Sequence, residues 1–200
     1  MMMIHACVVA CLAAIGPLQP VPAQCQNNWT LNPPPLFPTN EWGPVTNNCQ
    51  LGLRFPKLEY QVGEQVLAAV YLRNVGERQI GHTVSAPDRD YEVIVKGGDG
   101  QSVPYTESWA RVVNRSMIGV IGGSAHSEEL APHQQEYPSW LDITKRYRME
   151  QTGTYIVTVK GHMGMTLAAP QEANATNLVA TVELFSNPVM ITVVAPKPKQ

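Results

Sequence analysis

Residues 153–159 (GTYIVTV) and 186–194 (SNPVMITVV) constrain the fold of this 200-residue chain more than any other stretch. Both are rich in β-branched residues, which fit a pleated, half-buried surface. Tyr155 stands one step into the first run, behind a Thr152-Gly153 turn. From there its ring can pack inward while its hydroxyl reaches back to upstream backbone, the tyrosine corner that closes one end of a β-sandwich. Tyr155 is therefore expected to be structural, and the two runs to be the last strands of an all-β domain.

Upstream the apolar period is two. Leu51, Leu53 and Phe55 alternate with Gly52 and Arg54, and Val66, Ala68, Val70 and Leu72 alternate with Leu67, Ala69, Tyr71 and Arg73. In the second run both registers are largely apolar, which predicts a strand buried on both faces. Asn74-Val75-Gly76 turns the chain, and residues 80–85 and 91–96 predict two more strands, the latter with Tyr91, Val93 and Val95 on one face. Gly97-Gly98-Asp99-Gly100 predicts a hairpin answered by residues 103–105, because positive φ angles suit Gly, Asn and Asp. Further strands are expected at 129–132 and toward Trp140, and Asp142-Ile143-Thr144 predicts one helical turn through Tyr147. Residues 106–128 show no period, and 118–123 suit a strand edge, a bulge or a loop equally. With no long 3.6-residue period, strands at short intervals predict a sandwich rather than a βαβ fold.

Hydrophobic residues make up 44% of the chain and charged ones 15%, enough for a core, and the net charge of −2 offers no basic face to nucleic acid or acidic lipid. Residues 1–24 predict a secretory signal peptide: an apolar run to Ile15, then Gly16-Pro17 and a small-residue Val21-Pro22-Ala23 segment, with His5 and the α-amino group supplying the n-region charge. The expected location is secreted or periplasmic. The run is too short to span a bilayer as a mature helix, and no later apolar stretch approaches the ~18 residues needed. Export removes Cys7 and Cys11 and leaves Cys25 and Cys49, an even pair in a compartment where disulfides form, so a bridge between them is expected. Lipidation of a cysteine is the alternative, although Gln24 is a poor residue before Cys25. Residues 25–50, with Pro33-Pro34-Pro35, Pro38 and Gly43-Pro44, predict an extended leader docked by Trp29, Phe37 and Trp42. Residues 51–195 are the expected domain and 196–200 a disordered tail.

Residues 60–66 (YQVGEQV) with Leu72-Arg73-Asn74, then Leu130-Ala131-Pro132, Gly153-Thr154-Tyr155 and Ser186-Asn187, resemble the landmarks of secreted bacterial immunoglobulin-like domains related to BsuPI-type proteinase inhibitors and to the domain preceding deuterolysin-type metalloprotease units. The resemblance covers residues 51–194 and implies an immunoglobulin-like antiparallel β-sandwich, with a loop-borne proteinase inhibitor as the sharper functional version. Such domains often carry Gly after the Pro. His133 stands there instead, so a different turn geometry is expected.

Common catalytic signatures are missing: no HExxH, G-x-S-x-G, nucleotide-binding glycine loop or Cys-x-x-Cys. Ser124 and His126 lie two residues apart in a Gly-rich polar stretch that yields such a pair by coincidence. Asp88 and Asp90 around Arg89, and Glu128-Glu129, read as solvated charges without the oxygen density of a calcium site. His162-Met163-Gly164-Met165 is the suggestive cluster, since imidazole and thioether suit copper, above all Cu(I), and the segment is placed just past the Tyr155 strand among the loops. Further ligands would come from His126, His133 or Met149, while methionine as a packing residue is the favoured reading. The chain is thus expected to be an exported, non-catalytic β-sandwich that binds a protein or cell-envelope component. A periplasmic copper carrier using His162, Met163 and Met165 is the alternative.

Overall fold

The computed structural model describes residues 42–114, 125–167 and 178–198. The signal peptide, most of the leader with Trp29 and Phe37, Cys25, the 118–123 run and Ser124 lie outside these residues.

One strand organises the rest. β8 (Gly153–Leu167) is 15 residues long, and each of its edges is filled by two successive strands. On one edge, β5 (Tyr91–Gly97) pairs with 155–161 and β4 (Ile80–Val84) meets Met165 and Thr166. On the other, β10 (Val189–Val194) pairs with 153–157 and β9 (Leu178–Phe185) with 160–167. The first edge is interrupted by the helical turn α1 (Pro87–Asp90), the second by Ser186-Asn187-Pro188. At the second break Ser186 repairs the ladder: its N–H donates to Val159 O at 2.9 Å, and its hydroxyl accepts from Val159 N at 2.9 Å. No buried backbone group at Val159 is then left unpaired.

β2 (Glu59–Gln61) extends this sheet in parallel with β10, and β6 (His126–Leu130) extends it antiparallel to β4. A second sheet, of order β1-β3-β7, stacks β1 (Cys49–Arg54), β3 (Leu67–Asn74) and β7 (Ser139–Asp142) antiparallel. The chain is an all-β, immunoglobulin-like sandwich. Its core is the period-two face of each strand: Leu51, Leu53, Val70, Leu72 and Leu141 from one sheet meet Val93, Val95, Val157, Val159, Leu184 and Ile191 from the other. Each such side chain stabilises by roughly 1.5–3 kcal/mol when fully buried.

β3 is buried on both faces, as its sequence indicates, and Trp42 is the reason. Ala69 and Tyr71 on the outer face pack under Trp42, with Trp140 alongside. The indole lies 4.1 Å from the Arg73 guanidinium and so close to Gly52 that a Cβ there would sit 3.0 Å from Cζ3. Gly43 N donates to Leu51 O at 2.8 Å, so the end of the leader is stitched to β1.

The hairpin forms with Gly97 N donating to Gln101 O at 2.8 Å and Val103 N to Val95 O at 3.0 Å; the answering segment makes isolated bridges rather than a strand. The expected helical turn is α3 (Ile143–Arg146), capped by the Asp142 carboxylate accepting from Lys145 N at 3.0 Å. An additional helix, α2 (Glu107–Asn114), occupies the stretch that showed no period. Its eight residues hold a single buried anchor, Trp109, behind a Thr106 side chain that accepts from Trp109 N at 3.3 Å; the helix is amphipathic, but two turns are too short to read as a long helical period. His133 keeps the glycine-like turn: it adopts φ +59°, at a cost on the order of 1 kcal/mol for a residue with a Cβ.

Tyr155 makes the corner. Its ring is buried, and its hydroxyl donates to Gln151 O at 2.7 Å. Tyr155→Phe should lose about 1 kcal/mol for the hydrogen bond and Tyr155→Ala about 3–5 kcal/mol for the cavity. Urea melts of both variants check this, and curves that coincide with wild type would contradict the corner.

Candidate functional site

The copper set does not assemble. His162, Met163 and Met165 all lie within β8, which continues past the point where a loop was expected, and successive residues of a strand face opposite sides. Met163 and Met165 are buried in the core, whereas the His162 imidazole is on the outer face, 3.4 Å from Glu92 Oε2 and 3.7 Å from Glu183 Oε1. Met149 is also core, and His133 sits 3.3 Å from Glu77. The expected partner of Cys49, Cys25, lies outside the described residues. Cys49 is a free thiol at 0% exposure, pushed up to about 12 by burial and then by the Glu136 charge.

Asp88 is not a solvated turn charge. It accepts from buried Arg146 Nη2 at 2.5 Å and from Lys145 Nζ at 3.2 Å. Burial alone would raise its carboxyl, but Arg146 and then Lys145 overrule this and hold it below the usual range. Arg146 also donates to Tyr91 O at 2.9 Å and lies 4.8 Å from the Trp109 ring, so it pins α1, α2 and β5 together. A cavity of about 210 Å³ opens beside it, lined by Arg89, Tyr105, Trp109 and His162. Asp90 is engaged too, accepting from Ser85 N at 2.7 Å.

The other polar concentration sits where β4 and β6 meet the loop before β7. His82 follows Ile80 on the inner face of β4, and its register partners are Glu128 on β6 and Met165 on β8. Glu136 reaches the same place from the opposite sheet, because its N–H donates to Leu72 O of β3 at 2.9 Å. One ligand atom from each of His82, Glu128 and Glu136 lies within 4.8 Å of the others. His82 is 2% exposed, and its Nε2 lies against Glu136 Oε1. That approach lacks hydrogen-bond geometry: both imidazole nitrogens and Glu136 Oε1 are buried without a hydrogen-bond partner. Each such orphan costs about 1–3 kcal/mol. The thiol of Cys49 and the hydroxyl of Tyr91 are both raised, first by burial and then by Glu136. Glu128 is half-exposed and meets His126 Nε2 at 2.8 Å. The available sequence signal was His82 itself, an imidazole in register with inward Ile80; Glu136 belongs to a loop whose position only the tertiary fold defines.

The large sheet's outer face is the third feature. Its rungs place Met190 beside Ile156 and Lys96, Ile94 beside Thr158, and Phe185 beside Lys160 and Glu92. Met190 is 61% and Phe185 39% exposed. Lys160 bonds Glu183 at 2.7 Å over this face.

No protein-family model matches the chain, and no curated protein matches it. Among solved structures it is similar to AvmM, described as catalysing macrocyclization in alchivemycin A biosynthesis, at 13% identity and TM-score 0.34 over 78% of this chain and 93% of that one. It is also similar to the CARDB domain of the PF1109 protein from Pyrococcus furiosus in complex with di-metal ions, at 14% identity and TM-score 0.30 over 73% and 87%. A PapD-like domain of human CEP192 follows at 11% identity and TM-score 0.28 over 78% and 92%. What each of these proteins does belongs to that protein.

Two expectations follow. Asp88 has a folded pKa below its unfolded value of about 4, so its contribution to stability is complete above that pH and is lost as pH falls through the folded value. Asp88→Asn should therefore be less stable at neutral pH and fall less steeply below pH ~4 than wild type, as followed by thermal melts across pH; parallel acid limbs would contradict the assignment. Cys49 should resist a thiol reagent in the folded protein and react only on unfolding, because neither access nor thiolate is available. Rapid labelling of the native chain would contradict its burial, and silence of the unfolded, unreduced chain would mark a bridge to Cys25.

Proposed function

We propose that this chain is an exported, non-catalytic β-sandwich that acts by contact, using the outer face of the large sheet to hold a folded protein partner of the cell envelope or exterior. The exposed apolar centre carries the reading. Met190 and Phe185 stand out from a sheet face that also presents Ile94 and Ile156. Around them lie Lys96, Lys160, Glu92 and Glu183, charges of both signs, and an apolar centre with a mixed polar rim suits a protein surface. It suits neither nucleic acid nor an anionic membrane, each of which selects one sign. Residues 1–24 support export, since charge-poor apolar sequence followed by small residues is what a signal peptidase reads. The proteinase-inhibitor version rests on the resemblance to BsuPI-type domains over residues 51–194.

A Met190→Glu, Phe185→Glu double variant should keep its fold, because both side chains are exposed, and lose at least about tenfold in affinity for the partner isolated on wild-type chain from the exported fraction. Unchanged affinity would rule out this face. Inhibition of a secreted proteinase that survives the double variant would move the action to a loop.

A further inference from the structure

We infer that His82, Glu128 and Glu136 form a binding site for a divalent transition-metal ion such as Zn²⁺, closing β4, β6 and the loop before β7 onto one another. Three donors arrive from three separate elements: an imidazole on β4, a carboxylate on its ladder neighbour β6, and a carboxylate from a loop fastened to the other sheet. Their ligand atoms lie within 4.8 Å of one another. A tetrahedral ion with bonds of about 2.0–2.2 Å wants them roughly 3.4 Å apart. His82 Nε2 and Glu136 Oε1 stand closer than that and must part, and Glu128, 48% exposed and bonded to His126, must turn inward, for an ion to enter.

The independent observation is His82. It is 2% exposed and points into the cluster; its Nε2 touches Glu136 Oε1 without hydrogen-bond geometry, and its Nδ1 is buried with no hydrogen-bond partner. An imidazole nitrogen lone pair and a carboxylate oxygen facing each other are the donor types a Lewis-acidic ion takes. Nitrogen with carboxylate oxygen suits Zn²⁺ and its divalent neighbours rather than Cu(I), which prefers softer donors. His126 Nε2, 2.8 Å from Glu128 Oε1, orients that carboxylate or supplies a fourth ligand. Solvent reaches the site from the Glu128 side, since Glu136 is partly exposed and Glu128 half so.

The competing account is an ion pair between a protonated His82 and Glu136, which has no use for Glu128. Isothermal titration of the purified, chelator-stripped chain with Zn²⁺ alone separates the two. Binding of one equivalent is expected, with a rise in melting temperature of about 5–10 °C at a hundredfold excess over Kd. Glu128→Gln, at the solvent rim, should keep the metal-free melting temperature and weaken binding at least about tenfold; Glu136→Gln should do the same to binding. X-ray absorption of the zinc complex should show nitrogen and oxygen neighbours near 2.0–2.2 Å. Absence of binding, affinity unaltered in Glu128→Gln, or sulfur in the coordination shell would each overturn the site. If Glu136→Gln proves too unstable to study, the Glu128→Gln titration and the absorption spectrum still decide.

Discussion

The whole sandwich hangs on β8 being paired along both edges. Fifteen residues of extended chain present donors and acceptors to both sides, and one uninterrupted neighbour per side would make a flat, long sheet. Instead each edge is filled by two strands, broken at different heights: α1 interrupts one edge and Ser186-Asn187-Pro188 the other. Staggered breaks let each edge bend while the opposite ladder holds the spine. Between them lies Gly161, where an added Cβ would come within 3.0 Å of Leu51 Cδ1 of the facing sheet, so this position has no room for a side chain.

The two outer faces are treated differently, and this decides what the molecule can offer a partner. Sheet β1-β3-β7 has only three strands, and its outward residues Ala69 and Tyr71 would stand bare without Trp42. The chain covers that face with its own segment, anchored by Gly43 N to Leu51 O. Among the described residues Met190 stands 61% exposed on the larger sheet, and the Lys160 ammonium lies 5.7 Å from the Phe185 ring. Available surface is concentrated on one side because the other is already used by the chain itself.

Local signals survive from sequence to structure, and non-local ones do not. β3, β5 and the Tyr155 corner were legible because each depends on alternation or on a contact four residues away. The second half of β8 was misread although its pattern continues, with Val159, Gly161, Met163 and Met165 inward and Lys160, His162 and Thr166 outward. Glycine is a poor strand former in isolation and the segment carries two, Gly161 and Gly164; pairing with β9 on one side and β4 on the other holds it extended. The His82 cluster was unreadable for the same reason. Glu136 reaches it through a bond to Leu72, 64 positions upstream, and nothing local to either residue encodes that meeting.

Asn74 and His82 show what the unsatisfied imidazole means. Both are buried polar residues at the seam of β3, β4 and β6, 1% and 2% exposed. Asn74 is fully paired: its amide donates to Arg78 O at 2.7 Å, Leu130 O at 3.1 Å and Ala131 O at 3.2 Å, and its oxygen accepts from Gly76 N at 2.9 Å. Most buried polar groups are satisfied in this manner, although Tyr60 Oη and Arg146 Nε are also buried without a hydrogen-bond partner. His82 lies a few residues away in the same backbone environment, yet faces two carboxylates rather than carbonyls or amides. An imidazole N–H can donate to one carboxylate, so the contact of His82 Nε2 with Glu136 Oε1 on its own fits a hydrogen bond or an ion pair. The arrival of Glu128 as a third donor is what favours a cation, because one proton bridges two groups and a metal ion gathers three or four.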